Sequence, residues 1–331
     1  MGKLACYGAF VTLLITMSEL KQRRLTGLKP TGKLHFGNYF GALKPFIDTY
    51  EQYDSILFLA DYHALTTARD AGKLRQDSID VIKDYLAAGL DPTKAIVFRQ
   101  SDNPDHTELA WVCNCLVTVP FLQQGHAYKD RVAKGEEVNA GLFTYPMLMA
   151  ADILLYDTEL VPVGEDQRQH VEYAREVAGK FNRAFGDALI PPQEQITAEQ
   201  GIVPGTDGQK MSKSYNNTIP LFGTAEEIEK AVMGIVTDST GDRPQHVYAI
   251  HRLIKSEAEL APIYETHKGR YGDLKKILAA DLEAFIVPMR AKRDNITDAQ
   301  VKEVLHAGAI KAKTISNQTM NRVRSAIGLN L

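Results

Sequence analysis

Short apolar runs alternate with longer amphipathic stretches along the first 190 residues of the chain. The runs at residues 23–27, 55–61, 95–100 and 159–164 predict β-strands. The stretches at residues 38–53, 73–89 and 105–119 have apolar positions at helical spacing and predict α-helices. Strands that alternate with helices are typical of a parallel sheet covered by helices, so we expect an α/β, Rossmann-like domain.

The pattern changes after residue 190. Residues 190–217 contain adjacent prolines and several glycines, which predicts a mobile loop. Long polar-apolar helical patterns then run from Thr224 to the C-terminus, without a convincing strand. In a chain of 331 residues this favours two domains, a Rossmann-like domain at residues 17–222 and a helical domain at residues 223–331.

The first 16 residues differ from the rest. Lys3 and the apolar run that follows it imitate a signal peptide, although the run is too short to span a bilayer. Secretion would conflict with the chemistry described below. We therefore interpret residues 1–16 as an extension from an upstream start codon and expect the functional chain to begin at Met17.

Composition narrows the classes of function. Hydrophobic residues make up 44% of the chain and charged residues 24%, as in ordinary globular proteins. The formal net charge of -3 excludes a uniformly basic nucleic-acid-binding protein but permits a local basic face.

Three cysteines, Cys6, Cys113 and Cys115, are too few for a disulfide framework, so we expect a reducing, cytoplasmic location. Cys113 and Cys115 should point to different faces of one helix, which argues against a metal held by both. His106 and His126 flank the pair, but the spacing is not that of a zinc site.

The first candidate site follows the first predicted strand. Gly32 and Gly37 allow a ligand to approach the backbone closely, and a helix begins near Asn38. The N-terminus of a helix offers unpaired N–H groups to phosphate oxygens, and Thr31 and His35 add side-chain donors. By itself this pattern is as compatible with an ordinary turn as with a nucleotide site.

The second candidate is the glycine-flanked segment at residues 208–214, which contains Lys210 and Lys213. In nucleotidyl transfer, negative charge grows on the α-phosphate and on the leaving pyrophosphate. Mobile ammonium groups would stabilise that transition state more than the ground state. The alternative is a solvated basic loop without a ligand.

The third candidate is the apolar run at residues 141–156. Tyr145, Met149, Asp152 and Tyr156 recur at helical spacing, which places one carboxylate among apolar and aromatic side chains on one face. A buried carboxylate needs a hydrogen-bond donor, which a ligand, a nearby arginine or the backbone could provide.

The fourth candidate is the strand end at Gly164, followed by Glu165, Asp166 and Gln167. Ligands gather at the carboxyl ends of parallel strands, where a carboxylate can bridge two ribose hydroxyls. The same residues could simply cap the next helix.

These four stretches, in this order, resemble the class I aminoacyl-tRNA synthetases, and in detail the bacterial tryptophanyl-tRNA synthetase family. The resemblance covers about residues 25–331. Residues 30–38 are similar to the HIGH-type signature of the family, and residues 210–214 match its KMSKS signature letter for letter. Residues 141–156 resemble its tryptophan-binding helix.

The resemblance implies a tryptophan–tRNA ligase, in which L-tryptophan and ATP form tryptophanyl-adenylate and the amino acid then passes to tRNA(Trp). It further implies Mg²⁺ held through the ATP phosphates, no metal ligands from the protein, a homodimer, no membrane partner, and an anticodon-binding helical domain. The implied catalytic residues are His35, Asn38, Lys210, Lys213 and Ser214. The implied ATP contacts are Lys29, Pro30, Thr31, Gly37, Asn38, Gly164, Glu165, Asp166, Ile202, Lys210, Met211, Ser212, Lys213 and Ser214. The implied tryptophan contacts are Asp152, Met149, Tyr145, Gln167, His63, Val161 and Val163.

One residue departs from the family pattern. Many relatives carry glutamine where this chain has Lys29, and a lysine there would repel the α-ammonium group of the substrate. We therefore expect its amine to turn toward the substrate carboxylate or the α-phosphate. A tyrosyl-tRNA synthetase, a small-molecule nucleotidyltransferase and a non-catalytic paralogue are the alternatives that the sequence leaves open.

Overall fold

Five parallel strands form one sheet in a computed structural model that describes residues 21–30, 32–164, 168–196, 203–237 and 243–330. The strands are β1 (Arg23–Leu28), β2 (Asp54–Leu59), β3 (Ile96–Arg99), β4 (Leu160–Val163) and β5 (Gln193–Ile196). Their order across the sheet is β3-β2-β1-β4-β5, and every pairing is parallel. The predicted α/β fold is confirmed, and β1 to β4 lie within about two residues of the positions expected from the sequence.

The strand β5 corrects the prediction of an uninterrupted loop at residues 190–217. It pairs with β4 at four positions, from Leu160 opposite Gln193 to Val163 opposite Ile196. Its sequence is polar, and its side chains are exposed or half-buried at the edge of the sheet. The apolar alternation that identifies a strand is therefore absent from β5.

Helices cover both faces of the sheet. They are α1 (Phe36–Asn38), a π-helix (Tyr39–Leu43), α2 (Lys44–Thr49), α3 (Asp61–Ala64), α4 (Ala71–Ala87), α5 (Asp105–Leu116), α6 (Val119–Leu122), α7 (His126–Ala133), α8 (Ala140–Leu154) and α9 (Arg168–Phe185). As the sequence predicts, the part beyond residue 223 is helical where it is described, with α10 (Ala225–Met233), α11 (Gln245–His251), α12 (Glu257–Thr266), α13 (Tyr271–Asp294) and α14 (Asp298–Ala326).

Two hydrophobic cores lie on opposite faces of the sheet. Successive side chains of a strand point to opposite faces, so Leu57 packs into one core and Ile56 and Phe58 into the other. The first core is shared with α2, α4 and the C-terminal helices. The second core is shared with α5, α8 and α9.

The last helix, α14, joins the two cores. Val301 and Leu305 near its start belong to the first core, and Met320 and Val323 near its end belong to the second. Between them α14 passes the edge strand β3 so closely that a Cβ atom on Gly308 would lie 1.8 Å from the carbonyl oxygen of Val97. The C-terminal helix therefore packs directly on the sheet, while the proposed boundary at residue 222 stays a prediction.

The sheet opens between β1 and β4. The strands β1 and β2 pair along six positions, whereas β1 and β4 pair at one, Arg24 opposite Leu160. Pro162 in β4 has no N–H to donate to a neighbouring strand. The strand order also reverses here. The chain runs outward from β1 through β2 to β3, then returns to β4 on the other side of β1 and continues outward to β5. Parallel sheets bind ligands at such a switch point, beyond the carboxyl ends of the strands.

Among the described residues, none of the helices is both long and apolar enough to cross a membrane.

Replacing Gly308 by alanine tests the contact between α14 and β3. The added methyl group would meet the backbone of β3, which cannot move as a flexible side chain does, so we expect Gly308→Ala to lower the free energy of unfolding by about 1–3 kcal/mol. Gly272→Ala on α13 is the control, because a Cβ atom there meets no neighbouring atom within 4 Å. Urea denaturation measures both variants, and equal stability of the two would contradict the close contact.

Candidate active site

A cavity with a volume of about 860 Å³ lies at the opening between β1 and β4. Gly27 borders it from β1 and Pro162 from β4. The described residues that the sequence assigns to tryptophan all line this one cavity, namely Asp152, Met149, Tyr145, His63, Val161 and Val163. Lys29 and Gly164, which the sequence assigns to ATP, line it as well. Residues from four separate segments of the sequence thus converge on one site.

The carboxylate of Asp152 is the most deeply buried charge in the cavity wall, with 1% of the residue exposed. Its Oδ1 accepts hydrogen bonds from Gln100 Nε2 and His106 Nδ1, both at 2.7 Å. Its Oδ2 accepts one from His63 Nε2 at 2.8 Å. Burial would raise the pKa of Asp152, but the hydrogen bonds from His106 and His63 outweigh it and lower the pKa to about 2. The cavity therefore presents an ionised carboxylate to a ligand.

Gln100 and His106 are functional candidates that the sequence did not reveal. Gln100 follows β3, and its Oε1 accepts a hydrogen bond from the backbone N–H of Tyr62 beside His63. His106 lies in the first turn of α5 and is fully buried. Both residues follow β3, at the carboxyl edge of the sheet where Asp152 also lies. Their position just after a parallel strand was the sequence signal that could have identified them.

Aromatic rings form another part of the cavity wall. The rings of His63 and Tyr145 meet edge to face with centroids 6.2 Å apart, and His170 meets Tyr145 at 5.5 Å. Burial raises the pKa of the Tyr145 phenol. His126 and His170 also line the cavity, although the sequence did not assign either residue to the site. An aromatic wall with a deeply buried ionised acceptor suits a flat apolar ligand that carries one N–H or O–H donor.

The segment that the sequence predicts to bind phosphate lies just beyond β1 and forms a reciprocal cap. His35 Nδ1 accepts from the backbone N–H of Asn38 at 3.3 Å, and Asn38 Oδ1 accepts from the backbone N–H of His35 at 3.2 Å. Burial, and then the positive charge of Lys213, lower the pKa of His35 to about 4. With Nδ1 acting as an acceptor, the neutral ring carries its proton on Nε2 and can donate there.

The two signature segments contact each other directly. The backbone N–H of Gly37 donates to Met211 Sδ at 3.1 Å. A Cβ atom on Gly37 would lie 2.9 Å from His35 Nδ1 and 3.0 Å from Met211 Cβ, which explains the glycine at this position. The backbone N–H of Phe36 donates to the carbonyl of Ile219 at 3.0 Å, so the lysine segment is docked against the start of α1.

Asn217 organises the lysine segment. It is 2% exposed, and its Oδ1 accepts from the backbone N–H of Ser212 at 2.7 Å. Its Nδ2 donates to Asp207 Oδ1 at 2.7 Å and to the carbonyl of Lys210 at 3.1 Å. Lys210, Lys213 and Ser214 are exposed, while Met211 is buried. The sequence did not identify Asn217 as the residue that holds this segment in shape.

Several predicted residues lie outside the described part of the chain, namely Thr31, Glu165, Asp166, Gln167 and Ile202. Pro30 is buried, and Ser212 is half-buried. The cysteines behave as predicted on α5, with Cys113 buried and Cys115 exposed. Within the described ranges, no group of three or more His, Cys, Asp or Glu residues could hold a metal ion.

Sequence comparisons with known proteins agree with the geometry of the site. The family described as "tRNA synthetases class I (W and Y)" matches residues 17–306. Tryptophan–tRNA ligase from Fusobacterium nucleatum is 44% identical over 319 residues, which are 93% of this chain and 98% of that protein. The corresponding enzyme from Campylobacter jejuni is 42% identical over 318 residues, 93% of this chain and 100% of that protein.

Solved structures give the same result. The crystal structure of tryptophanyl-tRNA synthetase from Campylobacter jejuni, complexed with ADP and tryptophan, has a TM-score of 0.88 and 39% identity, and the match covers 93% of this chain and 100% of that one. Tryptophanyl-tRNA synthetase from Mycoplasma pneumoniae has a TM-score of 0.79 and 31% identity, with 93% and 98% covered. The chain therefore belongs to the tryptophan and tyrosine family of class I tRNA synthetases.

Proposed function

We propose that the chain is a tryptophan–tRNA ligase, which activates L-tryptophan with ATP and transfers it to tRNA(Trp). The observation that carries this proposal is the ionised Asp152 carboxylate, buried in an aromatic cavity at the switch point of the sheet. Two relatives that match over nearly their full length are tryptophan–tRNA ligases, which supports tryptophan over tyrosine.

Asp152 selects the amino acid. Its Oδ1 is already held by Gln100 and His106, so the indole N–H of tryptophan donates to Oδ2, which His63 also contacts. Phenylalanine has no group to donate there and would cover Oδ2 without adding a hydrogen bond, which a site built around a donor of the substrate rejects strongly. The side chains of Tyr145, Met149, Val161 and Val163 enclose the ring, and Gln167 contacts the polar end of the substrate.

ATP binds between the two signature segments. His35 Nε2 and the side chain of Asn38 contact the phosphates at the start of α1, together with Pro30, Thr31 and Gly37. The ribose and adenine lie against Gly164, Glu165, Asp166 and Ile202. Mg²⁺ enters with the nucleotide, because this ion prefers phosphate oxygens and water to an all-protein site. When bound, the ion would neutralise charge on the phosphates.

Residues 210–214 act on the leaving group. An oxygen of the tryptophan carboxylate attacks the α-phosphorus, and the bond from that phosphorus to the bridging oxygen breaks, so pyrophosphate leaves with the bonding electrons. Lys210 and Lys213 offset the charge on pyrophosphate, with Met211, Ser212 and Ser214 closing around it. A hydroxyl of the terminal tRNA ribose then attacks the adenylate carbonyl carbon, loses its proton, and AMP leaves. Lys29, at the cavity wall, faces the substrate carboxylate or the α-phosphate.

We propose that residues 17–222 carry out this chemistry and that residues 223–331 bind the anticodon. The helical character of α10 to α14 supports that division. The active protein is a cytoplasmic homodimer, as its family resemblance implies.

Lys213→Ala tests the role of the lysine segment. Loss of one cation that acts mainly in the transition state should lower kcat for ATP–pyrophosphate exchange by about 10²–10³-fold and leave the KM for tryptophan nearly unchanged. The control is Lys94→Ala, which removes a surface lysine paired with Glu51. Full exchange activity in Lys213→Ala would contradict the assignment.

Asp152→Asn tests amino-acid selection. Tryptophan is compared with β-(benzothiophen-3-yl)alanine, in which sulfur replaces the indole N–H. Because a hydrogen bond to a charged acceptor is lost, the ratio of kcat/KM for tryptophan over this analogue should fall about 10- to 100-fold. Asp157→Asn is the control, since that carboxylate pairs with Arg322 and its positive φ of 50° suits asparagine. A ratio equal to that of the unchanged protein would remove Asp152 from indole recognition.

A further inference from the structure

A continuous row of buried polar side chains leads from Asp152 to the C-terminal helix. Asp152, His106, Tyr156, Asn103, Ser316 and Asp105 are each at most 2% exposed. The links are His106 Nε2 to Tyr156 Oη at 2.7 Å, Asn103 Nδ2 to Tyr156 Oη at 3.0 Å, Asn103 Nδ2 to Ser316 Oγ at 2.9 Å, and Ser316 Oγ to Asp105 Oδ2 at 2.7 Å. Ser316 lies on α14, 164 positions along the chain from Asp152 (316 − 152).

The direction of every hydrogen bond in this row follows from one backbone group. The N–H of Asp105 donates to Asn103 Oδ1 at 3.3 Å, so the amide oxygen of Asn103 faces that N–H and its NH₂ group faces the other way. The two hydrogens of that NH₂ group go to Tyr156 Oη and Ser316 Oγ. Both hydroxyl oxygens therefore act as acceptors toward Asn103 and must donate their own hydrogens elsewhere.

On the cavity side, the hydroxyl of Tyr156 donates to His106 Nε2. Burial raises the pKa of this phenol, so the hydrogen stays on the oxygen. A ring nitrogen that accepts a hydrogen bond carries no proton in neutral imidazole, and the proton of His106 is therefore on Nδ1. From Nδ1 it is donated to Asp152 Oδ1.

On the surface side, Ser316 Oγ donates to Asp105 Oδ2. Lys313 Nζ lies 2.7 Å from the same oxygen, and Arg324 Nη2 lies 3.5 Å from Oδ1. Two cations from α14 thus compensate a buried carboxylate that would otherwise be costly. Every hydrogen-bonding atom named in this row therefore has a partner.

We propose that Ser316 of α14, acting through Asn103 and Tyr156, fixes the tautomer of His106 and so positions the Asp152 carboxylate for the indole N–H. Ser316, Asn103 and Tyr156 are positioning residues, and the inference rests on the proposed role of Asp152. With His106 in the other tautomer, an imidazole lone pair would face Oδ1, and the carboxylate would turn from the geometry that leaves Oδ2 toward the cavity.

Ser316→Ala tests the proposal by its effect on selectivity. Removing the hydroxyl frees one hydrogen of Asn103 and weakens the fixed orientation of the row, so the ratio of kcat/KM for tryptophan over β-(benzothiophen-3-yl)alanine in pyrophosphate exchange should fall about three- to tenfold. The analogue itself should keep its kcat/KM, and the KM for ATP should not change. Tyr156→Phe keeps the shape of the ring and should lower the ratio in the same way. Thr314→Ala, an exposed hydroxyl on the same helix that bonds to the carbonyl of Ile310, is the control.

Three outcomes would overturn the proposal. An unchanged ratio in both variants would show that the row does not act on Asp152. Equal losses for both amino acids would show a role in stability alone. If Asp152→Asn lowers the ratio and Ser316→Ala does not, only this inference fails, whereas an unchanged ratio in Asp152→Asn removes the proposed role of Asp152 itself.

A second measurement needs no variant that might fold poorly. Nuclear magnetic resonance of the full chain labelled with ¹⁵N-histidine distinguishes the two neutral tautomers of an imidazole ring. His106 should show the proton on Nδ1, and a proton on Nε2 would overturn the proposal.

Discussion

The burial of one negative charge organises this site. A carboxylate as enclosed as that of Asp152 is stable only when donors surround it, and the three donors in the described part of the chain all lie outside its own helix. Its partners follow β2 in the case of His63, follow β3 in the case of Gln100, and belong to α5 in the case of His106. The single charge therefore fixes the relative positions of three segments and leaves one carboxylate oxygen toward the cavity.

The two segments proposed to bind the ATP phosphates are held differently, by contact between parts of the chain that are distant in sequence. Gly37 and Met211 are far apart in the sequence but touch, because the start of α1 and the strand-like segment around Ile219 share backbone hydrogen bonds. Here the two lysines proposed to act on ATP, Lys210 and Lys213, are exposed, in contrast to Asp152. In the proposed function, selection of the amino acid depends on a buried hydrogen-bond network, and phosphate chemistry depends on exposed charges that can meet a large, hydrated substrate.

Sequence reasoning predicted the sheet and four of its strands because periodicity is a local property of the chain, and the family resemblance supplied the residues that line the cavity. It missed β5, whose polar edge sequence carries no apolar alternation. It also missed Gln100, His106 and Asn217. Each of these acts through a partner that only the folded backbone brings near, and His106 looked like a packed helix residue beside two cysteines. The run at Asp152 was predicted from helical spacing and His63 from the family resemblance, but the hydrogen bonds that Gln100, His106 and His63 make to Asp152 could not be predicted.

We propose that tryptophan is the amino acid whose side chain donates a hydrogen bond to the buried Asp152 carboxylate. ATP–pyrophosphate exchange measured separately with each of the twenty amino acids tests it most directly. We expect rapid exchange with tryptophan and exchange near background with the other nineteen, tyrosine and phenylalanine included. Exchange that depends on tyrosine and not on tryptophan would contradict it.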